Sequence, residues 1–425
     1  MGTHTGLLRF ITCGSVDDGK STLIGRLLYD SKSLLTDHIS ALEASSRKRG
    51  SREIDLSLVT DGLLAEREQG ITIDVAYRYF STATRKFIIG DSPGHVQYTR
   101  NMVTAASTAD VAILLVDARA GLQPQTRRHA FLARWIGIRR VLLAVNKMDL
   151  VGWSRDRFRE IDADFQAFSG PLGFKDVVSV PMSALLGDMI VERGDELGWY
   201  GGRTLLEYLE EVPARHDESA QPVRFPVQRV VRARRENVQR GSWFTEDEFR
   251  GYQGTVASGV LRVGDSVVSL PSGNQARVAE ILTADGPTPE APADRAVTVR
   301  LDREIDVSRG DLFSSVDTPA RVSQDIVADI CWFDAEPALT SQPYLIKQSV
   351  NTVRVKFAGL EHRIDVQSLQ TEPAGATLEM NDIARVRLKT QKALAFDVYE
   401  DNRTTGAFVM IDERTNRTVA AGTIR

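Results

Sequence analysis

Cysteine is nearly absent: the 425 residues contain only Cys13 and Cys331. Two distant cysteines are too few for a disulfide framework or a thiolate metal site, and their scarcity is typical of a reducing compartment. The longest strongly apolar runs, such as residues 111–116, have the length of a strand and are far too short to span a membrane. The N-terminus lacks a basic region followed by an apolar core, so no secretory signal is indicated. We expect a cytoplasmic protein.

A strong excess of one charge is also missing. The net charge is −4, with 26% charged and 42% hydrophobic residues, which is ordinary for a globular protein. No global electrostatic attraction to nucleic acid or membrane follows, although an acidic protein can still carry one basic face. We expect neither nucleic acid nor a membrane as a partner. The length predicts about three domains.

The pattern changes once along the chain. Between residues 7 and 212, short apolar strands alternate with helical stretches, which predicts an α/β domain with a mainly parallel sheet covered on both faces. Beyond Gln221-Pro222 the segments become short and β-branched, for example residues 223–231, and a proline-rich stretch at 287–292 interrupts them. This texture predicts two small β-barrels. The predicted domains are residues 1–216, 217–320 and 321–425.

The first motif follows an apolar strand and opens a helix. It matches G-x-x-x-x-G-K-[ST], the phosphate loop, whose backbone amides surround phosphate oxygens. Lys20 is predicted to reach the β- and γ-phosphates, and the Ser21 hydroxyl to bind Mg²⁺. The alternative is a glycine-rich turn with a solvated lysine. The predicted phosphate-binding residues are Gly14, Ser15, Val16, Asp17, Asp18, Gly19, Lys20, Ser21 and Thr22.

A second motif, Asp91-Ser92-Pro93-Gly94-His95, follows another apolar strand. A carboxylate at such a strand end can hold Mg²⁺ through a water, and a glycine lets its amide approach the γ-phosphate. Alone, this sequence is an ordinary turn. Its position downstream of the phosphate loop favours the nucleotide site.

The third motif is Asn146-Lys147-Met148-Asp149, again at a strand end. The carboxylate of Asp149 can accept two hydrogen bonds from the N1 and N2 groups of guanine, whereas adenine offers no such pair. Asn146 and the stem of Lys147 are expected to support the loop and the base.

Two weaker motifs complete the set. Ser183-Ala184-Leu185 follows a further strand and is expected to donate backbone amides to the guanine oxygen. Thr72 is placed to bind Mg²⁺ and the γ-phosphate, with a β-branched strand start as the alternative. The five motifs occur in the order known for nucleotide switches and predict GTP or GDP with Mg²⁺. The predicted catalytic residues are Lys20, Thr72 and His95, and the predicted metal ligands are Ser21, Thr72 and Asp91.

These motifs resemble the translation-factor GTPases. The run ending at His95 is similar to the D-x-P-G-H of elongation factor Tu, in which the histidine positions the attacking water; the resemblance implies that role for His95. The chain departs from the elongation factors at Ser15, where they have histidine, and at Gln69, where a basic residue is usual.

Eight further stretches carry a more specific resemblance: residues 8–28, 65–80, 97–102, 199–200, 204–207, 224–228, 249–252 and 305–311. They closely resemble the GTPase subunit of bacterial sulfate adenylyltransferase. The resemblance implies a separate small subunit that makes adenosine 5′-phosphosulfate and pyrophosphate from ATP and sulfate, in a heterodimer or a higher assembly. GTP hydrolysis on this chain would be coupled to that uphill reaction.

Several alternatives stay open. A translation GTPase that delivers aminoacyl-tRNA is the main one, and a nucleotide-binding scaffold without turnover is another. Residues 235–248, with Trp243 and Phe244, form a long segment that either covers its own barrel or anchors a partner. Some members of the resembling family carry a C-terminal kinase domain; with one phosphate loop in this chain, we expect none here.

Overall fold

A computed structural model describes residues 6–33, 56, 74–214, 218–234, 248–373, 375 and 377–425. The chain divides into two compact units. The N-terminal unit comprises residues 1–216 with 366–368, and the C-terminal unit comprises residues 217–365 with 369–425.

The N-terminal unit is built on one six-stranded sheet. Its strands are β1 (Leu7–Gly14), β2 (Ala76–Ser81), β3 (Lys86–Asp91), β4 (Val111–Asp117), β5 (Arg140–Asn146) and β6 (Asp176–Pro181). The order is β2-β3-β1-β4-β5-β6, with β2 antiparallel to β3 and all other pairs parallel. Every residue of β4 is buried, as expected for a strand covered on both faces.

Within the described ranges, five helices of this unit connect or cover the strands. They are α1 (Lys20–Asp30), α2 (Thr99–Ala106), α3 (Pro124–Trp135), α4 (Arg155–Ser169) and α5 (Leu205–Glu211), with short 3₁₀ turns at Val96–Tyr98, Met148–Val151 and Gly170–Leu172. Local sequence sets several helix starts. Pro124 occupies the first turn of α3, Ser154 caps α4, and Thr204 with Glu207 forms a capping box on α5.

Parallel strands place their carboxyl ends at one edge of the sheet. The phosphate loop follows β1, the Asp91 motif ends β3, the Asn146 motif ends β5, and Ser183 follows β6. One edge therefore gathers four of the five predicted motifs, as is usual for ligand sites in open α/β sheets.

The C-terminal unit begins with strands that surround one apolar core, which includes Phe225, Tyr252 and Phe313. Residues 223–231, predicted as one segment, form two strands, because Val227 and Gln228 turn their amides to Asp311 and Gln253. The proline-rich stretch, predicted as an interruption, contributes two short strands. The ten strands are β7 (Arg224–Pro226), β8 (Arg229–Arg234), β9 (Glu248–Thr255), β10 (Val260–Arg262), β11 (Ser266–Leu270), β12 (Asn274–Thr283), β13 (Gly286–Thr288), β14 (Glu290–Pro292), β15 (Ala296–Leu301) and β16 (Leu312–Ser315).

The remaining strands form a closed barrel. Six of them, in the order β18-β22-β23-β17-β21-β19, close through the pairing of β18 with β19, and β20 extends β19. Strands β19 and β21 are longer than the short strands predicted, with 14 residues each, and register shifts interrupt their pairing. The elements are β17 (Arg321–Trp332), β18 (Tyr344–Gln348), β19 (Asn351–Ile364), β20 (Thr371–Pro373), β21 (Ile383–Phe396), α6 (Arg403–Gly406), β22 (Ala407–Ile411) and β23 (Thr418–Ile424).

A buried ion pair links the two strand groups inside the C-terminal unit. The guanidinium of Arg224 donates to both carboxylate oxygens of Asp397 at 2.9 Å, and the Thr405 hydroxyl donates to the same carboxylate at 2.6 Å. The α/β domain followed by β-rich domains confirms the predicted fold class, while the boundary at residues 320 and 321 stays a prediction. Among the helices of the described ranges, none is long and apolar enough to cross a bilayer.

Candidate nucleotide-binding site

The phosphate loop is held by its own polar groups. Asp18 is buried, and its carboxylate accepts from the Ser15 amide at 2.5 Å. Gly19 precedes α1 with a φ of 93°, where a side chain would also meet the amide of Asn146 at 2.4 Å. The loop therefore needs glycine at this position.

Lys20 lies beneath the loop with 8% of its surface exposed. Its ammonium donates to the carbonyls of Gly14 at 3.2 Å and Ser15 at 2.7 Å. Burial lowers the pKa of Lys20, and the nearby carboxylates of Asp91 and Asp18 oppose that shift. The site thus carries a buried cation, which suits a polyanionic ligand.

The second motif lies against the phosphate loop. Asp91 is 2% exposed and accepts from the Thr12 hydroxyl at 3.2 Å. A Cβ atom on Gly94 would lie 2.7 Å from Nζ of Lys20 and 3.1 Å from the Gly14 carbonyl oxygen. Only glycine can bring its backbone this close to the loop, so the structure unites the two motifs.

The residues present fit a magnesium ion. Ser21 stands in the first turn of α1, and Asp91 ends β3 as a buried carboxylate within electrostatic reach of Lys20. One hydroxyl and one carboxylate suit Mg²⁺, which keeps several waters when it binds with phosphates. No cluster of three or more His, Cys, Asp or Glu side chains suited to a metal occurs within the described ranges.

His95 follows Gly94 and is half-buried, with its ring edge-on to Tyr98 at a centroid distance of 6.2 Å. It stands next to the glycine that approaches the phosphate loop. Thr72, predicted as a catalytic and metal-binding residue, lies outside the described residues, as do Trp243 and Phe244.

Asn146 joins the phosphate loop to the predicted base pocket. Its side-chain amide donates to the Asp18 carbonyl at 2.8 Å, and its oxygen accepts from the Ala184 amide at 2.8 Å. Both groups are buried, so the bonds are well shielded from water. The sequence predicted a supporting role for Asn146, and these two hydrogen bonds show which groups it holds.

Lys147 and Asp149 lie beside this connection. The Lys147 ammonium donates to the Asp17 carbonyl and pairs with the Asp117 carboxylate at 3.0 Å. Burial alone would raise the pKa of Asp117, but hydrogen bonds from Arg119 and Lys147 hold it well below its usual range. Met148, which lies between Lys147 and Asp149 in the sequence, is fully buried, whereas Asp149 is half-buried.

The Ser183 turn follows β6, at the same edge of the sheet. Ser183 is buried, its hydroxyl accepts from the Leu186 amide at 3.2 Å, and Leu185 is 53% exposed. The side chain of Arg26, in α1, donates to the carbonyls of Ala184 and Leu185. The turn is thus attached both to Asn146 and to the helix that follows the phosphate loop.

Sequence reasoning missed two residues here. Asp117, at the end of β4, holds Lys147, and its position at a strand end was an unused signal. His129 in α3 accepts from the Gly14 amide at 3.1 Å, but in the sequence it is one residue of an amphipathic helix and gives no signal.

Two family comparisons match parts of the chain. Residues 5–214 match the "Elongation factor Tu GTP binding domain", and residues 325–425 match the "GTP-eEF1A C-terminal domain-like" family. The first match spans all the predicted site motifs.

Curated relatives match almost the whole chain. Sulfate adenylyltransferase subunit 1 of Shewanella oneidensis is 50% identical, over 98% of this chain and 85% of that protein. The subunit 1 protein of Aliarcobacter butzleri is 47% identical, over 99% of this chain and 87% of its own length. The bifunctional enzyme CysN/CysC of Mycobacterium tuberculosis (strain CDC 1551 / Oshkosh) is 51% identical over 99% of this chain, which spans 67% of that enzyme.

Proposed function

The chain belongs to the sulfate adenylyltransferase subunit 1 family, with a GTP-binding domain of the elongation factor Tu type, and from that premise we propose that it hydrolyses GTP to drive sulfate activation on a partner subunit. The partner is a small adenylyltransferase subunit, which forms adenosine 5′-phosphosulfate and pyrophosphate from ATP and sulfate. The assembly is a heterodimer or a larger complex in the cytoplasm.

One observation supports the GTP site above all others. Asn146 bonds both to the phosphate loop and to the Ser183 turn, so the groups predicted to hold phosphate and base form one hydrogen-bonded assembly. If each motif were only an ordinary turn, a buried side chain that bonds to both the phosphate loop and the Ser183 turn would not be expected.

Each residue has a role in binding. Lys20 pairs with the β- and γ-phosphates in place of its present bonds to the loop carbonyls. Ser21, Asp91 and Thr72 would hold Mg²⁺, which offsets charge on the phosphates when it is bound. Asp149 accepts from N1 and N2 of guanine, and the Ala184 turn supplies amides to the guanine oxygen.

Hydrolysis requires water beside the γ-phosphate. His95, next to Gly94, orients that water for attack on the γ-phosphorus. The bond from the γ-phosphorus to the β–γ bridging oxygen breaks, and GDP and phosphate are released. The Gly94 backbone, which lies against Lys20 and the loop, places His95 for this task.

A coupled assay tests the proposal. The chain is mixed with the small subunit, ATP, sulfate and GTP, and both phosphate release and adenosine 5′-phosphosulfate are measured. We expect GTP hydrolysis to rise when the subunit, ATP and sulfate are all present, and product to accumulate beyond the level without GTP. The chain alone should make no adenosine 5′-phosphosulfate. Equal product with and without GTP would refute the coupling, and recovery of bound aminoacyl-tRNA would favour a translation GTPase.

A further inference from the structure

A buried histidine supports the phosphate loop from behind. His129 lies in α3, is 2% exposed, and its Nδ1 is 3.1 Å from the backbone nitrogen of Gly14. Gly14 is the last residue of β1 and the first of the phosphate loop. Helix α3 thus contributes one side chain to the loop, although none of its residues belongs to a nucleotide motif.

The hydrogen bond fixes the form of the imidazole. A backbone amide can only donate, so Nδ1 must be unprotonated and the ring proton must be on Nε2. Nε2 lies 2.9 Å from Nε2 of Gln125. Because the ring nitrogen is the donor, the Gln125 amide must be turned so that its oxygen accepts this bond. Lys20 from α1 and Arg128 from α3 are the charged groups that act on the ring, and burial, with these two cations, lowers the pKa of His129 to about 3. The imidazole therefore stays neutral near pH 7.

We propose that His129 is a positioning residue for the phosphate loop: its Nδ1 holds the Gly14 amide, and loss of that acceptor speeds nucleotide release. The inference rests on the proposed guanine-nucleotide site. Without nucleotide, the loop can relax and turn an unpaired amide toward water. Around bound phosphates the loop cannot relax, so the unpaired amide destabilises mainly the bound state.

The test compares three variants of the full chain. His129→Leu removes the acceptor, while His129→Asn keeps an oxygen close to the position of Nδ1. Leu132→Ala, a buried apolar change in the same helix, is the control for general loosening of α3. Each protein is loaded with a fluorescent GDP analogue and Mg²⁺, and release is followed after addition of excess GDP. Thermal unfolding is measured in parallel.

We expect His129→Leu to release the analogue about tenfold faster, which corresponds to about 1.4 kcal/mol at 25 °C. His129→Asn should stay within about threefold of the unsubstituted chain, and Leu132→Ala should lower the unfolding temperature without this acceleration. Unchanged release from His129→Leu, or equal acceleration in all three variants, would overturn the inference. If the unsubstituted chain binds no GDP analogue, the proposed function itself fails.

A measurement on the unsubstituted chain remains decisive if His129→Leu does not fold. Nitrogen-15 NMR of labelled histidine distinguishes a protonated from an unprotonated Nδ1. We expect His129 to show an unprotonated Nδ1 and a protonated Nε2 at pH 7, with and without GDP. A protonated Nδ1 would show that the ring does not accept from the Gly14 amide and would contradict the positioning role of His129.

Discussion

The two ends of the nucleotide site differ in burial. At the phosphate end, Asp18, Lys20 and Asp91 are 4%, 8% and 2% exposed, and each has a hydrogen-bond or charge partner. At the guanine end Asp149 is only half-buried, and Leu185 is 53% exposed. Electrostatic interactions strengthen where water is excluded, so the phosphate end is built for affinity. We propose that the guanine end selects between bases through a few directed bonds.

The largest effect should come from the buried cation. Lys20→Ala leaves Asp91 and Asp18 without their counter-charge. It also removes the group proposed to pair with the phosphates. Truncating one partner of a buried, hydrogen-bonded charge pair between protein and ligand costs about 2–5 kcal/mol of binding free energy, so affinity for GDP should fall about a thousandfold. Calorimetric titration measures it. A loss below tenfold would mean that the phosphate end does not dominate affinity.

His95→Ala separates turnover from binding within the phosphate end. Because His95 is half-buried and bound to no phosphate-loop atom by a described contact, affinity for GTP should change less than threefold. Hydrolysis should slow about a hundredfold, the usual range for a lost positioning or proton-transfer group. Single-turnover phosphate release gives the rate, and full turnover in the variant would remove His95 from the mechanism.

Asp149→Asn tests the guanine end. The amide keeps an oxygen that can accept from N1–H, but it places an NH2 donor opposite the N2 amino group of guanine, so GTP binding should weaken about a hundredfold. Xanthosine triphosphate carries a carbonyl oxygen at that position, so it should bind better than it does to the unsubstituted chain. Competition titrations with both nucleotides report the ratio. If GTP affinity is unchanged and xanthosine triphosphate does not bind, Asp149 does not read the base.

Asn146→Ala sharpens the comparison, because this residue joins the two ends. It removes the acceptor of the Ala184 amide and the donor to the Asp18 carbonyl, both buried. We expect affinity for GTP and GDP to fall about tenfold. Selectivity against ATP should fall with it, since the base turn loses its attachment. Loss of affinity with full selectivity would show that the ends act independently.

The sequence predicted the local parts of this site well. Each motif follows an apolar strand, and the carboxyl ends of parallel strands must share an edge, so Lys20, Asp91 and Asn146 could be placed together before any coordinates. The side-chain types of these three residues indicate their chemistry directly: a cation, a carboxylate and an amide. A phosphate loop needs glycine and lysine whatever the surrounding fold.

Long-range support could not be predicted in the same way. His129 is 115 positions from Gly14, and Asp117 is 30 from Lys147, so only the packing of α3 and the pairing of β4 with β5 bring them together. In the C-terminal unit, the pattern of β-branched segments predicted barrels but not their long strands. Bulges let one long strand bend around a barrel, and no residue pattern in β19 or β21 indicated where they occur.

Calorimetric titration of the full chain with GDP and with ADP, each with Mg²⁺, tests the central claim most directly. We expect one GDP bound per chain and no detectable heat with ADP. No heat with GDP or GTP, or equal binding of ADP, would contradict a guanine-nucleotide site at this sheet edge.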